Sequence, residues 1–244
     1  MSEKFCRVEI LGVPFDNITK EQAVDHAFAL QPEHKAYYVV TPNPEIVMLA
    51  RDDEGMLSAA KEAELVIADG IGVIYGARIL GTPLIDRIPG IDFTSALMEK
   101  MNREGRSLFL FGSKPGVAEK AAENLSVKYP NIKIVGTNDG YFTDDEPIIE
   151  KINAAKPDLM LVCLGAPKQE KWMQKNAHRL DVGIMVGAGG SLDVFAGVVE
   201  RAPEVWQRLG LEWLHRLLKD PKRIGRMMKL PKFIFAVIFK RFRG

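Results

Sequence analysis

Six short apolar runs, each closed by glycine, proline or asparagine and each followed by a polar-apolar stretch of helical period, constrain this chain more than any other feature. The runs are 35–41, 64–69, 107–112, 131–141, 157–165 and 182–190. Helical stretches lie between them at 44–54, 70–80, 90–105, 116–129 and 145–156. Strands that alternate with helices must cross over to pair in parallel, and the helices then cover both faces. The expectation is an α/β domain with a Rossmann-like parallel sheet flanked by helices. Residues 5–17 add a small β-ribbon, Pro44 suits a first helical turn, and Asp92 is expected to cap the helix at 90–105. A chain of 244 residues holds one such domain and a short extension.

In open parallel sheets ligands bind beyond the carboxyl ends of the strands. The loops expected there are 69–72, 111–116, 164–170 and 186–191. Each carries glycine, which tight turns need in any case but which also lets a ligand approach the backbone. Gly112, Gly165, Gly187, Gly189, Gly190 and Ser191 are therefore candidate binding positions for a phosphate-containing ligand. Lys168 and Gln169 stand at a helix start. Asp193 either accepts from a ribose or base, or adds negative charge to a first helical turn. Tyr141 is placed to stack on a base. Thr41 and Asn43, stiffened by flanking prolines, suit sugar hydroxyls or an amide, or cap the next helix. Arg87 is able to grip a diphosphate with two N–H groups, or to pair with Asp86 or Asp92.

Asp69 ends the apolar run Leu65 to Ala68 and precedes Gly70-Ile71-Gly72. The segment 69–76 is a relative of the dinucleotide fingerprint, yet a carboxylate beside a diphosphate is repulsive unless it has another task. Holding a metal requires further oxygen ligands, and no D-x-D occurs. Two roles stay open: acceptor of a proton, or cap of the helix that follows.

The chain's net charge of +1 hides an asymmetry. Residues 201–244 carry twelve Lys and Arg against three Asp and Glu, which leaves the first 200 residues at minus eight. A basic tail on an acidic body favours an anionic partner. From about Pro203 a single amphipathic helix is expected, with Trp206, Leu209, Trp213, Leu214, Leu217 and Leu218 on one stripe. A short helix follows Pro221. Beyond Pro231 comes a segment in which Phe233, Ile234, Phe235, Val237, Ile238 and Phe239 mix with cations. It suits the surface of an anionic membrane, or docking on its own domain or a second subunit. No run reaches the roughly 20 apolar residues of a spanning helix, and the first residues lack the apolar core of a signal peptide. Two widely spaced cysteines argue against a disulfide framework and for a reducing compartment. The order of a Ser-His-Asp or Cys-His site and the P-loop pattern are absent.

Taken in order, T-x-N-P-E-I (Thr41 to Ile46), A-D-G-x-G-V (Ala68 to Val73), R-I-P-G (Arg87 to Gly90), G-x-P-K-Q-E (Gly165 to Glu170), G-G-S-L-D-V-F-A-G with R-A-P (Gly189 to Pro203), and the tail from Leu211 to Arg223 resemble the WecG/TagA/CpsF glycosyltransferases of bacterial surface polymers. The resemblance spans nearly the whole chain. It implies a Rossmann-like fold of the glycosyltransferase type termed GT-E. The activity implied is inverting, metal-independent transfer of N-acetylmannosamine or a related sugar from its UDP form to an undecaprenyl-diphosphate-linked acceptor. In the teichoic-acid branch the acceptor is N-acetylglucosaminyl diphospho-undecaprenol and the linkage β-1,4. It also implies Asp69 as the essential aspartate, Thr41, Asn43 and Gln169 beside it, and Arg216, Arg223 and Arg226 as tail arginines. No cofactor or nucleic acid is expected. The expected organisation is a catalytic, UDP-sugar-binding body of residues 1–199 and a basic helical appendage, 200–244. The appendage is expected to complete the site at the inner face of the cell membrane, where a peripheral cytoplasmic enzyme meets its lipid; its apolar stripe also suits a homo-oligomer contact. A related transferase using another UDP-sugar, such as UDP-N-acetylmannosaminuronic acid, a nucleotide-dependent oxidoreductase and a non-catalytic adaptor are the competing readings.

Overall fold

The computed structural model describes residues 5–243, apart from the side chain of Arg223. Strands β1 (Arg7–Ile10) and β2 (Val13–Asp16) form an antiparallel ribbon. The remaining strands are β3 (Tyr37–Val40), β4 (Leu65–Val66), β5 (Ser107–Gly112), β6 (Lys133–Asn138), β7 (Leu159–Cys163) and β8 (Ile184–Gly187). They make one parallel sheet in the order β4-β3-β8-β7-β5-β6. The strand expected at 64–69 pairs only over Leu65 and Val66; its continuation, Ile67 to Asp69, is held by single amide bonds to the carbonyls of Val40 and Pro42.

The period of two along a strand divides the core. Tyr38, Val40, Phe109, Phe111, Met160, Val162 and Met185 join one apolar cluster. Val39, Leu108, Leu110, Leu159, Leu161, Ile184 and Val186 join the other. Both faces of the sheet are thus buried, which is why these runs read as continuous apolar stretches. Helices α2 (Pro44–Asp52), α3 (Glu54–Glu62), α4 (Ile71–Leu80), α7 (Glu146–Ala155) and α8 (Lys168–Asn176) cover the first face. Helices α1 (Lys20–Leu30), α5 (Gly90–Glu104), α6 (Val117–Lys128) and the short α9 (Ser191–Phe195) cover the second.

Several expectations need correction. The helix expected at 44–54 stops at Asp52, because Asp53 leaves helical geometry and its carboxylate caps a second helix, α3, through the Met56 amide. Asp92 is no cap. Pro89 occupies that position, and Asp92 sits in the first turn of α5, paired with Arg201. The amphipathic helix expected from Pro203 is two helices, α10 (Glu204–Arg208) and α11 (Glu212–Lys219), broken at Gly210, where φ is +71°. The break removes the stripe: Leu209 and Leu218 are exposed.

A 3₁₀ turn at Pro221–Arg223 and the single turn α12 (Ile224–Met227) lead into α13 (Lys229–Arg243), whose first turn contains Pro231. Helix α13 lies on α4 and α2. Phe233 and Val237 are fully buried there, facing Gly76 of α4. A Cβ at Gly76 would stand 2.7 Å from Phe233 Cζ, so the missing side chain is what admits the aromatic ring. The opposite side of α13 leaves Phe235, Phe239 and Phe242 in solvent. Among the described residues no helix is long and apolar enough to cross a membrane.

Candidate active site

Six segments meet beyond the carboxyl ends of β3, β4, β7 and β8 and enclose a cleft of about 490 Å³. They are the loop after β3 (Thr41, Asn43), the loop after β4 (Asp69, Gly70), the loop entering α5 (Arg87, Pro89), the loops after β7 and β8 (Gly165, Gly189, Gly190, Ser191), and the chain beyond residue 209 (Glu212, Arg216, Arg226). The position follows from topology. In a parallel sheet the carboxyl ends of neighbouring strands gather at one edge, and the crevice opens there.

Asp69 is partly exposed in this cleft. Among the described residues nothing hydrogen-bonds its carboxylate, and it caps no helix: the N-cap of α4 is Gly70. Desolvation pushes its carboxyl up to about 6. Arg216 and Arg87 pull in the other direction, and Glu212 and Asp92 add to the rise. A carboxylate with that affinity for protons, no partner and an open face is able to take a proton near neutral pH.

The neighbours of Asp69 are held in place. Thr41 is buried and donates to the Gly187 carbonyl at 3.1 Å. Asn43 caps α2, accepting from the Ile46 amide at 3.0 Å, so its capping role is real and its amide nitrogen stays free to face the cleft. Gln169 accepts from the Gly189 amide at 3.2 Å and donates to Glu170 at 2.9 Å. Thr41 and Gln169 thereby brace the loop after β8 from two sides. Glu170 is fully buried, its carboxyl is pushed up by desolvation, and one of its oxygens has no partner. Arg87 pairs with neither Asp86 nor Asp92; it donates to the Gln207 carbonyl at 2.8 Å. Arg226 pairs with Glu45 at 2.9 Å.

A smaller pocket adjoins the cleft, lined by Ser113, Lys114, Gly140, Tyr141, Cys163, Leu164 and Asp193. Tyr141 is largely exposed there, with its ring free to cover a planar group. Asp193 accepts from the Ser113 hydroxyl at 2.7 Å and borders both pockets. Burial raises the Cys163 thiol to about 12, so it does not act as a nucleophile.

Other candidates lie outside the lining of both pockets. Gly112 has φ +125°, and a Cβ there would meet the Cys163 carbonyl oxygen at 2.3 Å, so this glycine serves strand packing. Gly187 lies beneath the cleft, against Gln169 and Met173. Lys168 turns away, donating to the Gly140 carbonyl over the Phe142 ring. Arg223 falls outside the described side chains. Glu45, Glu212 and Arg201, which hold or face the site, were not singled out from the sequence. The partners of Glu45 and Arg201 lie more than 100 residues away, and the i, i+4 spacing of Glu212 and Arg216 marks only an ordinary helical pair. Among the described residues no three His, Cys, Asp or Glu side chains are grouped to hold a metal ion.

A family model described as the glycosyl transferase WecG/TagA/CpsF family matches residues 8–244. Two curated relatives, from Staphylococcus aureus strains MW2 and NCTC 8325, are each 36% identical to this chain over 234 residues, covering 95% of it and 92% of the relative. Both are described as N-acetylglucosaminyldiphosphoundecaprenol N-acetyl-beta-D-mannosaminyltransferase. With a parallel α/β sheet, a cleft at its carboxyl edge and a match over nearly its whole length, the chain belongs to the WecG/TagA/CpsF family and is a glycosyltransferase.

Proposed function

We propose that the cleft moves N-acetylmannosamine from UDP to N-acetylglucosaminyl diphospho-undecaprenol, with inversion, to give a β-1,4 linkage. The acceptor and sugar follow the description of the Staphylococcus aureus relatives. The observation that carries the mechanism is the Asp69 carboxylate: open to the cleft, without a hydrogen-bond partner, and raised to about 6.

In this reading the acceptor's 4-hydroxyl oxygen attacks the anomeric carbon from the face opposite UDP. The bond from that carbon to the β-phosphate oxygen breaks, and its electron pair leaves with UDP. The hydroxyl proton passes to Asp69. The departing diphosphate gathers negative charge, and Arg87, Arg216 and Arg226 supply the compensating cations. Arg223 is assigned the same role by its place in the tail sequence. Tyr141 and Asp193, at the adjoining pocket, receive the uridine base and ribose.

The basic appendage brings the enzyme to an anionic membrane surface, where the lipid acceptor resides. Support comes from the exposed Phe235, Phe239 and Phe242 beside the terminal cations of α13.

The decisive assay supplies UDP-N-acetylmannosamine, and separately UDP-N-acetylglucosamine and UDP-N-acetylmannosaminuronic acid, with a short-chain diphospholipid acceptor. Transfer of N-acetylmannosamine with a β-anomeric product by NMR is expected, unaffected by EDTA. Preference for another sugar moves the enzyme to another branch of the family, and strong EDTA inhibition removes the arginine-only account of the leaving group.

A further inference from the structure

Arg201 stands at the start of the appendage and lines neither pocket, yet it is among the most heavily engaged cations in the molecule. Its two terminal nitrogens meet both oxygens of Asp92 in the first turn of α5, at 2.5 and 2.9 Å. One of them also reaches Glu212 in the first turn of α11, at 3.4 Å. The guanidinium is mostly buried, and its Nε is enclosed without a partner. Burial at the cost of one unpaired donor is tolerated only where the remaining bonds are strong.

The two bridged carboxylates are neighbours of the reacting group. Glu212 and Asp92 are the anions facing Asp69, from α11 and α5, and Arg216 on α11 and Arg87 in the loop entering α5 are the cations facing it. Glu212 in turn approaches Arg216 at 3.9 Å, one helical turn on. A second tie runs in parallel, since Arg87 binds the Gln207 carbonyl at the end of α10.

We propose that Arg201 is a positioning residue for the transfer reaction: by bridging Asp92 and Glu212 it fixes α11 against α5, and so sets Arg216 over the cleft and screens two carboxylates from Asp69. This rests on Asp69 acting as the base. The two-pronged geometry is specific to arginine, because a lysine ammonium is a point charge that cannot span both carboxylate oxygens and still reach a second helix. Without the bridge two things change together. Helix α11 is freed, so Arg216 no longer meets the diphosphate in a fixed place. Asp92 and Glu212, no longer compensated, raise the Asp69 carboxyl further.

The test is the pH profile of kcat/KM for wild type, Arg201→Met, Asp92→Asn, the double variant and Asp69→Asn, with folding checked by circular dichroism. Arg201→Met is expected to lose about tenfold or more in kcat and to move the acid limb upward by about half a pH unit. The double variant, with one of the two carboxylates neutralised, is expected to return the limb toward its wild-type position. If Arg201→Met does not fold, Arg201→Lys replaces it, with a loss of kcat and little movement of the limb. An unmoved limb in folded Arg201→Met, or wild-type kcat in Arg201→Lys, overturns the proposal while leaving the base assignment intact. Sustained transfer by Asp69→Asn overturns the base assignment itself.

Discussion

At the scale of single residues the site turns on one carboxylate whose surroundings oppose its ionisation. Burial dominates; Arg216 and Arg87 act against the rise, and Glu212 and Asp92 add to it. Asp69→Asn keeps the shape and removes the basicity. Its transfer rate is expected to fall by about a thousandfold or more, with UDP affinity by calorimetry retained. A pKa near 6 also places the acid limb of wild-type kcat/KM near pH 6, with activity lost as the proton is gained below it. The same shift has a stability consequence. A carboxyl raised from 3.8 to about 6 on folding favours the folded state fully only below the lower value, and that favour is lost as pH rises through the upper one. Asp69→Asn is therefore expected to melt higher than wild type at pH 7.5, by the equivalent of about 1–2 kcal/mol, and to show no gain at pH 3.5. An unchanged difference across that range would mean that the carboxylate is not strained by its site. The second residue-scale lesson is Gln169. Its neighbour Glu170 holds the amide so that the oxygen faces the Gly189 N–H. Gln169→Glu places an anion there and beside Glu170, and a loss of at least tenfold in kcat is expected in the same assay.

At the scale of elements, the docking of α13 on α4 is the main apolar contact that joins the basic tail to the body. Phe233 is fully buried over Gly76. Phe233→Ala is expected to cost about 3–5 kcal/mol in urea unfolding, the usual range for a buried aromatic. Gly76→Val should release α13 instead, seen as faster amide exchange in residues 229–243. The exposed side of the same helix predicts a different outcome. Replacing Phe235, Phe239 and Phe242 together by Ser should leave the melting temperature within a degree or two and abolish sedimentation with anionic vesicles. Undiminished sedimentation would move membrane contact to another face. The helix that failed to appear from Pro203 shows where periodicity misleads. Trp206 to Leu218 share one helical stripe only if the helix is continuous. Gly210 breaks it, because its Cα packs where a Cβ would stand 2.8 Å from Ile71, and its φ is left-handed. A glycine that permits close approach is indistinguishable, along the chain, from one inside an ordinary helix.

At the scale of the whole molecule the appendage has two overlapping parts: residues 210–230 close the cleft, and residues 229–243 clamp onto α2 and α4. A division into a body, 1–199, and an appendage, 200–244, remains our proposal for how the enzyme works. Truncation after Val199 is expected to abolish transfer and, because it uncovers the groove that Phe233 fills, to lower the melting temperature as well. Full activity of the truncated protein would remove the tail from catalysis. Much of this architecture was legible beforehand. The six apolar runs, their period of two and the glycine loops after them determine a parallel sheet with a binding edge, because burial of both faces and crossover connection allow little else. The position of Asp69 at that edge follows from the same pattern, as do the Thr41 and Gln169 loops. The tertiary structure alone decided which loops share the cleft, that Asp69 caps nothing, and that Lys168 turns aside. It alone brought Arg87 to Gln207, Arg226 to Glu45 and Arg201 to Asp92, pairs that stand 109 to 181 residues apart in the chain. The reason is physical. Secondary structure is set by local backbone sterics and the spacing of apolar side chains, which a sequence displays. A charge finds its partner by the folding of the whole chain, and nothing local in either residue records where the other will be.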